Sequence, residues 1–219
     1  MILRELYLYP DLVQYPQNLT GTFRDQTRCL CNYLERNVLK KLKFKADGFK
    51  RICIIGTSNP KNKVTVNSSN VACIEVLFSE DEYLSKSGNE LDEYFINMLN
   101  VGLNKLDEQK QIPLEELCSG LESFRNNAYK NEWVHKSKVI KGTGARANLN
   151  CVLTKQSFTL TLSVHKDDIV VLEKEVLNTP PDEIAFTHLF KDLLTSDDAL
   201  LVNNKFGEII YELSIKSVV

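Results

Sequence analysis

Cysteine and histidine are the residues of this chain best suited to bind a metal or to act as nucleophiles. The chain has six cysteines and three histidines. Cys29 and Cys31 stand two residues apart in a stretch of helical periodicity, so their thiols point to nearly opposite sides of a helix. His135, His165 and His188 are far apart in sequence. Because zinc sites generally take paired ligands at short spacing, we expect no metal site and no cofactor.

A second group of reactive side chains lies at the end of a predicted hairpin. His165, Asp167 and Asp168 are close neighbours there, and Arg146 lies in an earlier loop. Together these groups suit general acid–base catalysis. Aspartates are equally what an exposed turn favours, and the chain has no Gly-x-Ser-x-Gly nucleophile motif. We therefore predict that the protein is not an enzyme, with a hydrolase or nucleotidyl transferase built from these scattered residues as the alternative.

Two glycine-containing segments have the composition of phosphate-binding loops. Gly56 follows an apolar run, but Pro60 and residues of β character come next, whereas a phosphate loop leads into a helix. We expect a β-turn there. The second segment, residues 141–146, places cations on both sides of two glycines, which suits either an anion-binding nest or a hairpin loop.

The elements that would position these residues begin with an alternation of strand-like and helical patterns. Residues 2–9 are predicted to form a strand. Thr22 has the side chain of a helix cap, and the apolar spacing after it predicts a long amphipathic helix that ends near Phe44. We expect a small meander from three later segments of β character: residues 50–57, 63–66 and 71–78.

The middle of the chain has the 3.6-residue period of helices. One apolar face runs from Leu91 to Leu106, and Pro113 precedes a second, which predicts a helical hairpin. Beyond it, apolar and polar residues alternate as in an antiparallel sheet covered on one side. One helix is expected within this part, from about Glu183 to Leu193. The alternating segments are residues 149–153, 158–164, 169–176 and 209–215.

These elements predict an α+β fold with antiparallel sheets, a long N-terminal helix and a central helical hairpin. The length of 219 residues suits a single domain, residues 1–219. A division into two lobes is expected where the periodicity changes. It would give a mixed α/β lobe with the helical hairpin, residues 1–134, and an antiparallel sheet with one helix, residues 135–219.

The composition is typical of a globular cytoplasmic protein. Hydrophobic residues make up 43% and charged residues 26%, and the formal net charge is −2. No apolar run approaches the ~20 residues of a membrane-spanning helix. The chain also lacks the overall positive charge that would favour binding to nucleic acid. Most cysteines lie within apolar runs, which indicates buried free thiols in a reducing compartment. We expect a cytoplasmic protein that binds neither membranes nor nucleic acid.

Charge is unevenly distributed along the chain. Residues 75–122 contain twelve acidic and three basic residues, whereas residues 125–155 contain seven basic residues and one acidic residue. The acidic segments either pack beside the basic ones or form an exposed surface that attracts a basic partner. On the second interpretation, the predicted partner-binding residues are the hairpin acids and two nearby aromatics: Glu80, Asp81, Glu82, Glu90, Asp92, Glu93, Asp107, Glu108, Glu115, Glu116, Tyr129 and Trp133.

The leading hypothesis is a non-enzymatic cytosolic binding protein whose partner is another protein. Its most specific form is an immunity or inhibitor protein that neutralises a cognate bacterial toxin by covering it with acidic side chains. The enzyme described above is one alternative. Another is an RNA-binding or scaffold protein that uses the basic segment around Tyr129 and Trp133, where aromatic rings stand next to lysines.

Overall fold

The computed structural model describes residues 1–167, 169–196 and 198–217. The chain forms two compact units, Met1–Asn131 and Glu132–Val219. A long helical segment lies near the N-terminus, two long helices follow at the centre of the chain, and strands occur in both units. The predicted α+β class is therefore confirmed. None of the helices built by the described residues is long and apolar enough to cross a membrane.

The first unit is built on a four-stranded sheet in the spatial order β1-β2-β4-β3. Its strands are β1 (Glu5–Pro10), β2 (Arg51–Thr57), β3 (Thr65–Val66) and β4 (Val71–Leu77). β1, β2 and β4 run parallel, and the two-residue β3 is antiparallel to β4. The predicted meander was therefore wrong. The alternation of residues within a strand does not indicate whether the neighbouring strand runs parallel or antiparallel. That direction depends on the segments that connect the strands.

The N-terminal helical segment has three consecutive parts. They are α1 (Gln17–Leu34), a π-helical turn (Glu35–Leu39) and α2 (Lys40–Leu42). The segment starts five residues before the predicted cap, because Pro16 takes the extended position that precedes the helix. Thr22 instead lies inside α1, where its hydroxyl donates a hydrogen bond to the Asn18 carbonyl. The segment ends where Lys43 adopts a left-handed conformation with φ of 52°, close to the predicted end.

Side chains of this helical segment cover the open edge of β1, the outermost strand of the sheet. The Thr27 hydroxyl donates to the Leu8 carbonyl, and the Arg28 guanidinium donates to the Leu6 carbonyl, each at 2.8 Å. The Leu6 amide donates to the Glu35 carboxylate at 2.8 Å. An uncovered edge would leave these backbone groups free to pair with another chain. The helix thus closes the sheet on this side.

The central helices are α3 (Glu80–Ser85), α4 (Gly88–Asp107) and α5 (Leu114–Asn126). The short α3 was not predicted; its cap is Ser79, whose hydroxyl oxygen accepts a hydrogen bond from the Glu82 amide. α4 and α5 form the predicted hairpin. Gly102 of α4 packs against Ile54 of β2, where a Cβ atom would lie 2.7 Å from the isoleucine side chain. The missing side chain therefore allows the close approach of helix and sheet.

The two faces of the first sheet differ in what covers them. Leu6, Leu8, Ile52 and Ile54 belong to the hydrophobic core that the sheet shares with the helices. Side chains alternate between the faces along a strand. The residues between them therefore lie on the opposite face, including three that matter below: Tyr9, Cys53 and Cys73.

The second unit contains two antiparallel sheets. One is a meander of β5 (Asn131–Ile140), β6 (Ala145–Leu153), β7 (Phe158–Lys166) and β8 (Ile169–Thr179). The other has the order β11-β10-β9, with β9 (Asp192–Thr195), β10 (Ala199–Asn203) and β11 (Ile209–Ser214). The four segments with predicted alternation all form strands, which confirms that part of the prediction. β5, β9 and β10 were not predicted.

The helix predicted between Glu183 and Leu193 is a single turn, α6 (Glu183–Phe186), and Leu193 lies in β9. The Asp182 carboxylate caps it by accepting a hydrogen bond from the Ile184 amide. Phe186, the last residue of the turn, and Phe190 after it both stack on Phe158, with ring centroids 3.8 and 5.4 Å away. We attribute the early end of the helix to this aromatic packing, which outweighs a short helical periodicity.

Candidate protein-docking surface

Eight of the ten predicted acidic residues separate into two groups at opposite ends of α4. A helix of this length extends about 30 Å. One group lies in the first turns of α3 and α4: Glu80, Asp81, Glu82 and Glu90. The other group surrounds the connection between α4 and α5: Asp107, Glu108, Glu115 and Glu116. We call the first group, together with Leu84 of α3, the α3 acidic face. The structure therefore does not gather all the predicted acids into one patch.

Local helix electrostatics explain why acids occur on the α3 acidic face. The backbone amides in the first turn of a helix have no intrahelical partner and carry partial positive charge. A carboxylate beside them stabilises the helix by about 0.3–1 kcal/mol. These acids therefore have a structural cause that is independent of any partner.

The carboxylates of the α3 acidic face are nonetheless available to a partner. Glu80, Asp81, Glu82 and Glu90 are all exposed. Within the described parts of the chain, none of the four forms an ion pair. Neutralisation by the protein's own lysines and arginines, the first of the two interpretations of the charge pattern, therefore does not apply to these four side chains.

A surface groove of about 390 Å³ separates α3 from the start of α4. Three carboxylates and one ammonium group line it, so its charge favours a cation. Leu84 is 65% exposed and adds an apolar contact on α3. Burial is the main factor that raises the pKa of Tyr94 to about 12, so its hydroxyl stays protonated. The lining residues are Glu82, Lys86, Asn89, Glu90, Glu93, Tyr94 and Asn97.

Glu93 differs from the other acids of this groove because its charge is already matched. The Arg125 guanidinium donates to both of its carboxylate oxygens at 2.8 Å, and the Tyr129 hydroxyl donates to it at 2.8 Å. Hydrogen bonding from Arg125 is the main cause that lowers the pKa of Glu93. Asp92, the next acid along α4, is buried, with 4% of its surface exposed. Glu93 therefore ties α4 to the end of α5, and neither Glu93 nor Asp92 is part of the surface that we propose for a partner.

The two predicted aromatic residues belong to different units. Tyr129 lies just after α5 with a positive φ of 58°, and its ring packs against Phe124. Trp133 lies on β5 in the second unit, where it is half-buried and its ring centroid is 6.0 Å from that of Phe158. Each ring thus packs against the core of its own unit.

His165 and Arg146, two residues of the enzyme alternative, lie on the polar face of the β6–β7 pair. His165 hydrogen-bonds the Ser163 hydroxyl at 3.0 Å through Nε2, and the Asn150 amide donates to the same hydroxyl at 2.7 Å. Arg146 is the cross-strand partner of His165. A serine–histidine contact is the start of a nucleophilic site. However, Ser163 is 1% exposed, and no carboxylate among the described residues hydrogen-bonds the histidine.

Asp167, the one described aspartate of that alternative, makes no hydrogen bond to the serine–histidine pair. Asp167 is exposed in the turn between β7 and β8, and Asp168 lies outside the described residues. The polar contacts between β6 and β7 therefore act as cross-strand pairs that stabilise the sheet. The described residues also contain no group of three or more histidines, cysteines or acids placed to hold a metal ion.

A second groove was not expected from the sequence. It has a volume of about 740 Å³ and lies between the C-terminal half of the helical segment and α5. Gly120 forms part of its floor, where a Cβ atom would lie 2.6 Å from Val38. A glycine inside a helical pattern is the signal that could have indicated this close approach. The lining residues are Tyr33, Asn37, Val38, Lys41, Leu42, Glu115, Glu116, Ser119, Gly120 and Ser123.

Compared with known proteins, the chain matches no family model, no curated protein sequence and no solved structure.

Proposed function

We propose that this is a non-catalytic binding protein that docks a basic protein partner on the α3 acidic face. One observation carries the proposal: four exposed carboxylates stand at the starts of α3 and α4, and none of them is ion-paired with a cation among the residues that the structure describes. A partner with lysines or arginines in the matching positions would supply that cation. Complementary charge of this kind speeds association and selects the partner.

The apolar residue among the acids strengthens this interpretation. Protein interfaces combine a dry apolar centre with a polar rim, and a few central residues supply most of the binding energy. Leu84 is 65% exposed on the same short helix as three of the acids. It is therefore suited to the centre of a contact whose rim is acidic.

The most specific form of the proposal is an immunity or inhibitor protein for a bacterial toxin with a basic active-site surface, such as a nuclease. A nuclease must attract phosphates, so its catalytic surface is basic. An acidic protein surface can cover it by competing for the same cations. Inhibition of this kind requires no catalytic residues in the inhibitor.

The test first sequences the genes beside the one for this protein, where the proposal expects a toxin nuclease, and uses that nuclease domain as the binding partner. The first variant neutralises the α3 acidic face with Glu80→Gln, Asp81→Asn, Glu82→Gln and Glu90→Gln. The matched control neutralises three exposed acids at the other end of α4, with Glu108→Gln, Glu115→Gln and Glu116→Gln. Calorimetry measures the dissociation constant at low and at physiological salt, and a nuclease assay measures inhibition.

We expect the first variant to weaken binding by at least about tenfold and to reduce its salt dependence, because four charge pairs with the partner are lost together. The control is expected to change the dissociation constant by less than about threefold, because its acids lie at the far end of α4, well beyond the ~10 Å over which charges act at ~0.1 M salt. Leu84→Ala should weaken binding by about tenfold without changing the salt dependence. The proposed surface would be refuted if the two charge variants changed the dissociation constant equally, or if neither of them weakened binding.

The same preparation distinguishes the other hypotheses. Covalent labelling by a serine-reactive phosphonate that disappears in Ser163→Ala would favour the enzyme. Filter binding to RNA that is abolished by Lys136→Glu together with Lys138→Glu would favour the RNA-binding protein. The docking proposal predicts neither result.

A further inference from the structure

Two cysteines face each other on the side of the first sheet opposite the helices. Cys53 of β2 and Cys73 of β4 are aligned partners in the parallel ladder. Neighbouring strands lie about 4.8 Å apart, and a disulfide joins residues whose Cα atoms are about 4.4–6.8 Å apart. Because aligned residues point to the same face, the two thiols are neighbours.

The two thiols differ in exposure and acidity. Cys53 is 3% exposed, whereas Cys73 is only partly buried. A hydrogen bond from the Cys53 thiol is the main factor that lowers the pKa of Cys73 to about 7. The same hydrogen bond, followed by burial, raises the pKa of Cys53. The accessible member of the pair is therefore also the one that ionises first, as an attacking thiol requires.

Other titratable groups on this face act on the buried thiol. The Tyr9 hydroxyl of β1 hydrogen-bonds Cys53 and favours its thiolate, and the positive charge of Arg51 does the same. Burial is the main cause that raises the pKa of Tyr9, so its hydroxyl remains a donor. Glu75 of β4 is the next residue after Cys73 on this face. Tyr9 thus stabilises the form of Cys53 that could attack a neighbouring sulfur.

We propose that Cys53 and Cys73 form a reversible disulfide, with Cys73 as the attacking thiol and Cys53 as the resolving thiol. The oxidant is a low-molecular-weight disulfide. The Cys73 thiolate bonds to one sulfur of the oxidant, whose own disulfide bond breaks and releases one small thiolate. The Cys53 thiol then gives its proton to that thiolate and bonds to the Cys73 sulfur, and the second small thiolate leaves and takes a proton from water. The small disulfide is thereby reduced to two thiols while the protein pair is oxidised.

The geometry of a parallel sheet makes this disulfide easy to reduce. Aligned side chains of a parallel ladder leave strands that lie about 4.8 Å apart, whereas a relaxed disulfide holds its Cβ atoms about 3.8 Å apart. Bond formation must therefore pull β2 and β4 together. Strained disulfides have more oxidising potentials than relaxed structural ones and are the reversible, regulatory kind.

The first test maps the oxidised product in the full-length wild-type protein. The protein is equilibrated with mixtures of reduced and oxidised glutathione, quenched with acid, alkylated and digested with trypsin. Cleavage after Arg51, Lys61, Lys63 and Lys86 places the two cysteines in separate peptides, residues 52–61 and 64–86. We expect these two peptides to be joined in the main oxidation product and to separate when dithiothreitol is added. Oxidised protein without the joined peptides would overturn the proposal.

The second test separates the roles of the two thiols. Cys53→Ser should accumulate glutathione on Cys73, because the resolving thiol is absent, and Cys73→Ser should leave the buried Cys53 unmodified. Tyr9→Phe should prolong the mixed disulfide on Cys73. Cys118 is the matched control, since it is also partly buried but its pKa is raised by burial. We expect Cys73 of the wild-type protein to react with oxidised glutathione at least about tenfold faster than Cys118.

Rates in the wild-type protein keep the proposal testable if a variant does not fold. Circular dichroism identifies such a variant. The reaction rates of Cys73 and Cys118 with oxidised glutathione in the wild-type protein then test the proposal instead. Equal rates at these two thiols would contradict the assignment of Cys73 as the attacking residue.

Discussion

Arg28 is buried at the edge of the first sheet, and its replacement by methionine should destabilise the first unit. The residue as a whole is 1% exposed, and its guanidinium donates a hydrogen bond to the Leu6 carbonyl at 2.8 Å. It also forms an ion pair with Glu35 at 3.0 Å. Its guanidinium carbon lies 4.3 Å from the centre of the Tyr7 ring. Methionine can keep the packing of the aliphatic stem while removing all the hydrogen bonds and the charge.

The magnitude follows from what Arg28→Met leaves behind. The side chains of the pair are 2% and 14% exposed, so water screens the interaction little and can replace it only in part. Removing one partner of a buried ion pair typically costs about 3–5 kcal/mol, because the other charge stays buried without compensation. Glu35 retains the hydrogen bond from the Leu6 amide. We therefore expect Arg28→Met to lower the free energy of unfolding by the low end of this range, about 3 kcal/mol. If that free energy falls by about 2 kcal/mol per molar urea, the urea midpoint decreases by about 1.5 M.

Urea unfolding followed by two probes measures this effect. Far-UV circular dichroism reports on α1 to α5 of the first unit, and the fluorescence of Trp133, the single tryptophan of the chain, reports on the second unit. The control is Arg24→Met, whose ion pair with Asp25 is exposed to solvent. Its midpoint should move by the equivalent of less than about 0.5 kcal/mol. Similar midpoints for the two variants in the dichroism transition would refute the role that we assign to Arg28.

The remaining predictions concern helix packing and one surface ion pair. Gly120→Ala should lower the free energy of unfolding by about 1–3 kcal/mol because its Cβ would lie 2.6 Å from Val38. Gly21→Ala, with open space around it in α1, should raise the free energy of unfolding by up to about 1 kcal/mol. Equal shifts of the thermal midpoint in the two variants would contradict this prediction. Because Arg125 lowers the pKa of Glu93 below its ordinary value of 4.5, the contribution of this pair is present above that pH and is lost as the pH falls further. Glu93→Gln should therefore destabilise the protein by about 1 kcal/mol at pH 7, and urea titrations should show the difference from wild type shrinking in acid; a constant difference would argue against the assignment.

Local patterns predicted most of the secondary structure. The 3.6-residue period located α4 and α5 because both helices bury one face against the core. Strict alternation located β6 and β7 because each has one buried face and one polar face. β5 escaped prediction because its apolar residues occur in two adjacent pairs, Trp133–Val134 and Val139–Ile140, and therefore follow no period of two. The helix expected up to Leu193 failed because aromatic packing in the second unit ends it after one turn.

The candidate site was predicted only in part. Charge counting indicated an acidic region, but it could not separate Glu90, which is exposed, from Asp92, which is buried two positions later on the same helix. It also could not show that Glu93 is matched by Arg125, which lies 32 residues away in sequence. Exposure and long-range pairing depend on how helices pack, and a linear charge pattern contains no such information.

The sequence by itself determined the α+β class, the long N-terminal helix, the helical hairpin and the excess of acids in the middle of the chain. Each of these follows from the spacing or number of residue types within a short window, where local backbone geometry sets the period. The tertiary structure alone decided that β1, β2 and β4 run parallel, that the acids divide between two ends of α4, and that Cys53 stands beside Cys73. These outcomes depend on contacts between residues far apart in the chain, which form only when the helices and strands pack around a shared core.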